Sequence, residues 1–302
     1  MTKREFFCCV HECWITCQNY TIVTILRLLF LGLFSLVTVW LWIPQSANTL
    51  TVSFLNVGQG DAIFIEGPTG IQLLVDAGPP DRSVLRELGG VMEVTDRTID
   101  AVLETHPDQD HIGGIPDVFE RYVVSYFLEP KIPNNTKANQ KVEKTVEGSG
   151  AKRIIARRGM RLILGGGAYA DVLFPDRDVS KLETNTGSVI LRVVYGDTSF
   201  LLSGDSPQAI EKFLVSVDSE KLQSTVLKVG HHGSKNSNAE VFVRTINPEY
   251  GVYSRGCNNR YGHPAHEVLA LFKTLHIRTL DTCEEGKITF TSDGLKVSIV
   301  RN

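Results

Sequence analysis

Within six residues, His106-Pro107-Asp108-Gln109-Asp110-His111 offers two imidazoles and two carboxylates, all of them side chains that bind metal ions. An extended backbone would point His106, Asp108 and Asp110 to one side, with His111 directly after them. Side chains this polar are costly to gather at a strand end unless a cation neutralises them. A chance cluster of exposed loop charges is the alternative, but the density of donors favours a metal site, and a two-metal one. Further donors lie downstream: Asp205 follows a strand-like run, and His231 and His232 stand between two glycines.

The elements that must position these groups are short and regularly spaced. The apolar run Ile99 to Leu103 reads as the strand that delivers His106, and after Gly113-Gly114 a helix is expected over Ile115 to Tyr122. From Leu50 onward, strands are expected at Thr51 to Val57, Ala62 to Glu66, Gln72 to Val75 and Val123 to Leu128. More follow at Asp171 to Phe174, Ser188 to Tyr195, Ser199 to Ser203, Ser224 to Val229 and Tyr250 to Ser254. The chain closes with a helix, Ala265 to Leu275, and strands near 278–280, 287–291 and 297–300. Helix-like segments at 83–88 and 207–215 alternate with them, which predicts a layered α/β domain over 50–302 with its site at the strand ends.

Ile22 to Ile43 is an almost unbroken apolar run of the length a membrane helix needs, with Trp40 and Trp42 near its end. Lys3, Arg4 and Arg27 precede or enter it, and the next basic residue is Arg82. These charges predict a cytoplasmic tail over 1–21, a single-pass anchor over 22–43 and an extracytoplasmic domain. Secretion after signal-peptide cleavage is the rival expectation; Gln45-Ser46-Ala47 makes a poor cleavage site. Four of the six cysteines lie in the tail, where Cys9, Cys13 and Cys17 repeat at helical spacing and are read as palmitate carriers, metal ligands or thiols without a role. The net charge of -3 gives no bulk attraction to nucleic acid, so any affinity must be local. One basic stretch, 131–161, reads either as a phosphate-backbone track or as a solvated helix face plus an edge strand.

His106-x-Asp108-x-Asp110-His111, Ser203-Gly204-Asp205 and Val229-Gly230-His231-His232-Gly233 together resemble the metallo-β-lactamase superfamily. The resemblance implies an αββα four-layer sandwich with a metal cleft at one edge. In that family the first motif usually carries His where Asp108 stands. With Asn56-Val57-Gly58-Gln59-Gly60-Asp61, Lys228 to Lys235 and Asn259-Arg260-Tyr261-Gly262-His263-Pro264, this variant is similar to the C-terminal domain of ComEC-type DNA-uptake proteins. Those proteins also carry a multi-span channel, which one candidate span cannot form, so a separate channel protein is an expected partner.

The resemblance implies His106 and Asp108 on one metal, Asp110 and His111 on the other, Asp205 bridging them, and His231 or His232 completing the second. Relatives supply another His near 185–188, where this chain has none. The resulting oxygen-rich site makes manganese as plausible as zinc. Two such cations would activate a water near neutral pH. Lys235, Asn259, Arg260 and His263 are then candidates for phosphate contact or leaving-group protonation, with Asp110, Lys235 and His263 as the catalytic set. Asp61 and Asp76 either hold nearby backbone or steady the ligands from behind. The leading expectation is a metal-dependent phosphodiesterase or nuclease acting on DNA. A small-molecule ester, lactone or β-lactam hydrolase, and a non-catalytic module docking on a channel protein, are the alternatives.

Overall fold

The computed structural model describes residues 24–35 and 48–300. The chain divides into two units, Met1–Ser46 and Ala47–Asn302. In the first, residues 24–35 are helical, and large apolar side chains such as Leu26, Leu29, Phe30 and Phe34 are exposed. Among the described residues no helix is long and apolar enough to cross a membrane. The expected tail, 1–21, and most of the rest of the expected span, 22–23 and 36–43, lie outside the described residues.

Among the described residues, the second unit holds fifteen strands. They are β1 (Leu50–Phe54), β2 (Ile63–Glu66), β3 (Gln72–Val75), β4 (Thr98–Leu103), β5 (Val123–Glu129), β6 (Lys152–Ile155), β7 (Arg161–Gly165) and β8 (Ala168–Phe174). The series continues with β9 (Ile190–Tyr195), β10 (Thr198–Leu202), β11 (Val226–Lys228), β12 (Tyr250–Tyr253), β13 (Arg278–Asp281), β14 (Ile288–Ser292) and β15 (Val297–Val300). One sheet runs β15-β14-β1-β2-β3-β4-β5-β6, the other β13-β12-β11-β10-β9-β8-β7.

Alternation along the strands builds the layers. In β2, Ile63 and Ile65 join a core shared by both sheets, while Phe64 turns to the opposite face, among Leu74, Val102 and Ile115. Phe290 of the first sheet meets Phe54 at 6.0 Å and Phe200 of the second sheet at 5.9 Å between ring centroids. The outer face of the first sheet is covered by helices Ser83–Leu88, Ile115–Arg121 and Lys137–Ser149. Helices Gln208–Leu222, Glu240–Ile246 and His266–Thr274 cover that of the second. This is the αββα arrangement.

Strands β3 to β6 are parallel, as are β10 to β13. Every site segment leaves the carboxyl end of one of them: Asp76 after β3, His106 after β4, Asp205 after β10, and His231 after β11. One expectation fails here. Asp108 is extended, but His106 lies in a bend and Gln109–Ile112 is a turn of helix, closed by His111 N donating to Asp108 O at 3.0 Å. Asp110 and His111 therefore enter the site from a helical turn, not from an alternating strand.

The basic stretch resolves into the helix Lys137–Ser149 and two edge strands, β6 and β7. Its arginines are engaged within the protein. Arg153 pairs with Glu129 and Glu143, Arg158 with Asp218, Arg161 with Asp171, and Arg157 donates to the carbonyl of Pro130. The lysines of the stretch are turned to solvent, and Arg153 and Arg161 are exposed but paired, so the edge-strand and helix-face reading accounts for most of it.

The segment carrying His231 and His232 is held from below by Glu211. Its fully buried carboxylate accepts from Asn238 N (2.7 Å) and Ala239 N (2.6 Å), and Asn238 in turn clamps the N–H and C=O of Gly230. Burial raises the Glu211 pKa from 4.5 to about 7, against the pull of those two N–H donors. A raised pKa means the folded chain binds the proton more tightly than the unfolded one. The group's favourable contribution is thus complete below pH 4.5 and is lost as pH rises through 7, at about 1.4 kcal/mol per unit. The stability advantage of wild type over Glu211→Gln, from urea unfolding, should shrink by about 3 kcal/mol from acid to neutral pH; a difference that is flat with pH would remove this assignment.

Candidate metal centre

The two oxygens of Asp205 face different partners. Oδ2 is approached by four imidazole Nε2 atoms: His111 at 3.4 Å, His231 and His232 at 3.5 Å each, and His106 at 4.0 Å. Oδ1 faces the ammonium of Lys228 at 3.4 Å. Lys228, the last residue of β11, is completely buried; it donates to Gly204 O at 3.0 Å and is ion-paired with Asp61.

The hydrogen-bond network fixes the tautomers. His232 Nδ1 donates to Ser254 O at 2.8 Å, and His111 Nδ1 donates to Asp76 Oδ2 at 2.8 Å. The Thr105 hydroxyl donates to the same Asp76 oxygen at 2.6 Å, so its lone pair is open to His106 Nδ1 at 3.0 Å. All three rings thereby turn Nε2, the nitrogen a cation would take, inward, and all three Nε2 atoms are buried without a hydrogen-bond partner. Buried nitrogens are rarely left so unless another ligand is meant for them. Donor atoms of His106, His111 and Asp205 lie within 4.8 Å of one another, as do those of Asp110, His111 and His232. A divalent cation fits this donor set, and rings held at Nδ1 by a carboxylate or carbonyl are the usual supports of metal-binding histidines.

The electrostatics agree. Burial would lower the pKa of His232, but Asp205 and Asp61 hold it up at about 9. Burial likewise opposes the His111 imidazolium, and Asp205 and Asp76 keep its pKa well above the ordinary value. His106, buried and beside His111, falls to about 3. A pocket that raises two buried imidazoles this far is short of positive charge, which is what a cation would supply.

The sequence model of the metallo-beta-lactamase superfamily matches residues 55–256. The chain belongs to that superfamily. It is 31% identical over 263 residues to ComE operon protein 3 of Bacillus subtilis, covering 82% of this chain and 34% of that protein. It is 29% identical over 248 residues to competence protein ComA of Neisseria gonorrhoeae, covering 82% and 33%. The chain therefore spans about a third of the length of the curated relatives it matches. Among solved structures, the metallo-beta-lactamase fold protein YhfI of Bacillus subtilis superposes with a TM-score of 0.50 at 13% identity, covering 77% of this chain and 95% of that one. That likeness concerns the fold alone.

For a superfamily member the arrangement is readable residue by residue. His106, Asp110, His111, Asp205 and His232 converge, with Asp110 Oδ2 at 3.5 Å from His232 Nε2. Asp108 sits at the lip, 3.8 Å from His106 Nε2 and partly exposed. His232 is the buried member of its pair, while His231 reaches Asp205 from the open side. Both adopt left-handed backbone, as does Asp76, and such strain concentrates at functional positions. Near 185–188, Ser188 is fully buried with a partnerless hydroxyl beside Gly204 and Thr105.

Lys235 is exposed, and among the described residues its side chain makes no hydrogen bond or ion pair. Asn259 gives its amide to its own loop, bonding Gly256 O, His263 O and His263 N. His263 is half-buried at the rim, and burial with His231 and His232 nearby lowers its pKa to about 4. Arg260 lines a recess of about 420 Å³ that Asp110 also lines.

Sequence reasoning missed Lys228, whose role only the ends of β10 and β11 reveal. It also missed the disulfide between Cys257 and Cys283, residues 26 apart in sequence. Asp76, left open between two readings, is the steadying partner of His111 and, through Thr105, of His106. Asp76→Asn should leave every ligand in place yet weaken metal binding by about 10- to 100-fold, measured by competition with a chelator. Unchanged affinity in a folded variant would show that Asp76 does not orient the rings.

Proposed function

We propose that this chain is a metal-dependent hydrolase that cleaves phosphodiester bonds in DNA. The observation that carries the reading is the convergence of three buried, partnerless imidazole nitrogens on one oxygen of Asp205, beside a recess walled by Asp110 and Arg260. Similarity to a protein named for competence supports nucleic acid as the substrate.

His106, Asp108 and Asp205 would hold one divalent cation, and Asp110, His111, His232 and Asp205 a second. Such a pair, when bound, supplies an activated water and polarises a phosphoryl oxygen. The oxygen share of this donor set, with Asp108 and Ser188 on the side where relatives place imidazoles, favours manganese over zinc. The remaining work falls to the chain itself. Asp76 fixes the direction of His111, Ser254 that of His232, and Lys228 holds the far oxygen of Asp205 so that one oxygen faces the centre. Arg260, exposed at the recess, offers planar donors suited to a phosphate.

The domain is proposed to work outside the cytoplasm, tethered through the N-terminal helix. The Cys257–Cys283 bridge supports an oxidising compartment, and the apolar exposure of residues 24–35 supports a membrane surface.

The purified full chain, given manganese, should cleave linear DNA. Asp110→Ala should reduce the rate by more than about a hundredfold, beyond the loss expected from an outer partner. Absence of cleavage by wild type with any divalent ion, or unchanged cleavage in Asp110→Ala, would overturn the reading.

A further inference from the structure

The loop from Gly256 to Pro264 forms one wall of the recess that opens on Asp110, and it is braced on every side. Gly256 N donates to Gln59 Oε1 at 3.2 Å, and Cys257 is bonded to Cys283. Asn259 staples the loop to itself through Gly256 and His263. A loop held this firmly presents its side chains without ordering them on binding.

What it presents is Tyr261, an aromatic side chain 54% exposed at the recess wall. Its ring is stacked on His263 with centroids 5.8 Å apart and planes 25° from parallel. His263 in turn meets His231 at 5.5 Å, and His231 reaches Asp205. A line of rings therefore runs from the metal centre to the surface and ends in a tyrosine. The Arg260 guanidinium lies 5.1 Å from the Tyr261 centroid, donates to its hydroxyl at 3.0 Å, and feels the Asp110 carboxylate. An aromatic 54% exposed beside a cation, at the mouth of the candidate centre, keeps more than half its surface open beyond its contacts with His263 and Arg260.

We propose that Tyr261 is a stacking platform for one unpaired nucleobase, with Arg260 contacting the adjoining phosphate, so that the site selects single-stranded or frayed nucleic acid. The inference rests on the phosphodiesterase reading and names the substrate class that reading leaves open. In a duplex both faces of an internal base are covered by its neighbours, whereas an unpaired base has a face to offer. Stacking of this kind is tolerant of sequence, because every base has such a face.

The test uses the full chain with calcium in place of manganese, and short single-stranded oligonucleotides carrying 2-aminopurine or an abasic site at one position. Wild type should quench 2-aminopurine on binding, and Tyr261→Ala should bind about tenfold more weakly with the quenching gone. Tyr261→Trp should restore both. The loss from removing the base and the loss from removing the ring should not add: the abasic penalty seen in wild type should largely vanish in Tyr261→Ala. Equal, additive losses, or failure of tryptophan to rescue, would overturn the platform. Cleavage by wild type in manganese without any effect at Tyr261 would overturn the platform alone. Quenched, Tyr261-dependent binding without cleavage would support the platform and overturn the phosphodiesterase reading, and neither binding nor cleavage would overturn both.

Discussion

The arrangement turns on how one buried carboxylate is divided. Asp205 gives one oxygen to the Lys228 ammonium and the other to a ring of imidazoles, and nothing else at the site could be placed without that division. Carboxylates this buried are unfavourable unless each oxygen has a partner. Lys228 serves one oxygen of Asp205 and also Asp61, so a single cation that cannot leave balances two acids. The balance is incomplete, since Asp205, joined by Asp76 and Asp61, still raises His111 and His232 well above their ordinary range. A site designed only for stability would have closed that gap with another fixed charge. Leaving it open keeps room for an exchangeable one.

The sandwich makes this affordable in structural terms because both sheets end at the same edge. Parallel strands in each sheet deliver their following residues to one side, so His106 and Asp205, about a hundred positions apart, meet without a long excursion of either loop. The awkward backbone is local. His231, His232 and Asp76 sit in left-handed conformations, and each is pinned: His231 N donates to Gly204 O at 3.1 Å, His232 is held by Ser254 and Asp76 by Thr105, while Asn238, with Glu211 behind it, clamps the neighbouring Gly230. Gly60 has a comparable duty, because a side chain there would strike the carbonyl of Asp110.

Much of this was legible from the sequence, for identifiable reasons. Strands such as β3 and β15 are short apolar or alternating runs bounded by turn residues, and their limits were read without error; the donors of 106–111 stand out because so many acids and imidazoles rarely gather by chance. What was hidden depended on partners distant in sequence. A lysine ending a strand looks solvated until Asp61 and Asp205 are brought to it. Asn259 reads from the sequence as a substrate contact, and only the fold shows that its amide also closes its own loop. The two cysteines of the domain carry no spacing motif, and only the approach of β12 to β13 makes them neighbours. The arginines of 153–161 suggested a track for phosphates because their acidic partners come from other segments, Asp218 among them.

The division between what the centre does and what it acts on follows the same boundary. The centre is built from strand ends and common to the superfamily, whose folds host many chemistries, so it argues for hydrolysis and not for a substrate. Substrate choice must come from groups that touch solvent next to the ligands, and in this chain those are few. Lys235 is exposed without a partner among the described residues, and Asn259 lines the recess with its amide bonded to its own loop. Among the residues lining the recess, the Arg260–Tyr261 pair sits on a loop tied by a disulfide, where a planar cation and a planar ring face the same space as Asp110. Rigidity there is informative: a surface loop without a function has little need of a covalent tie, three amide bonds to itself and a brace from the opposite sheet.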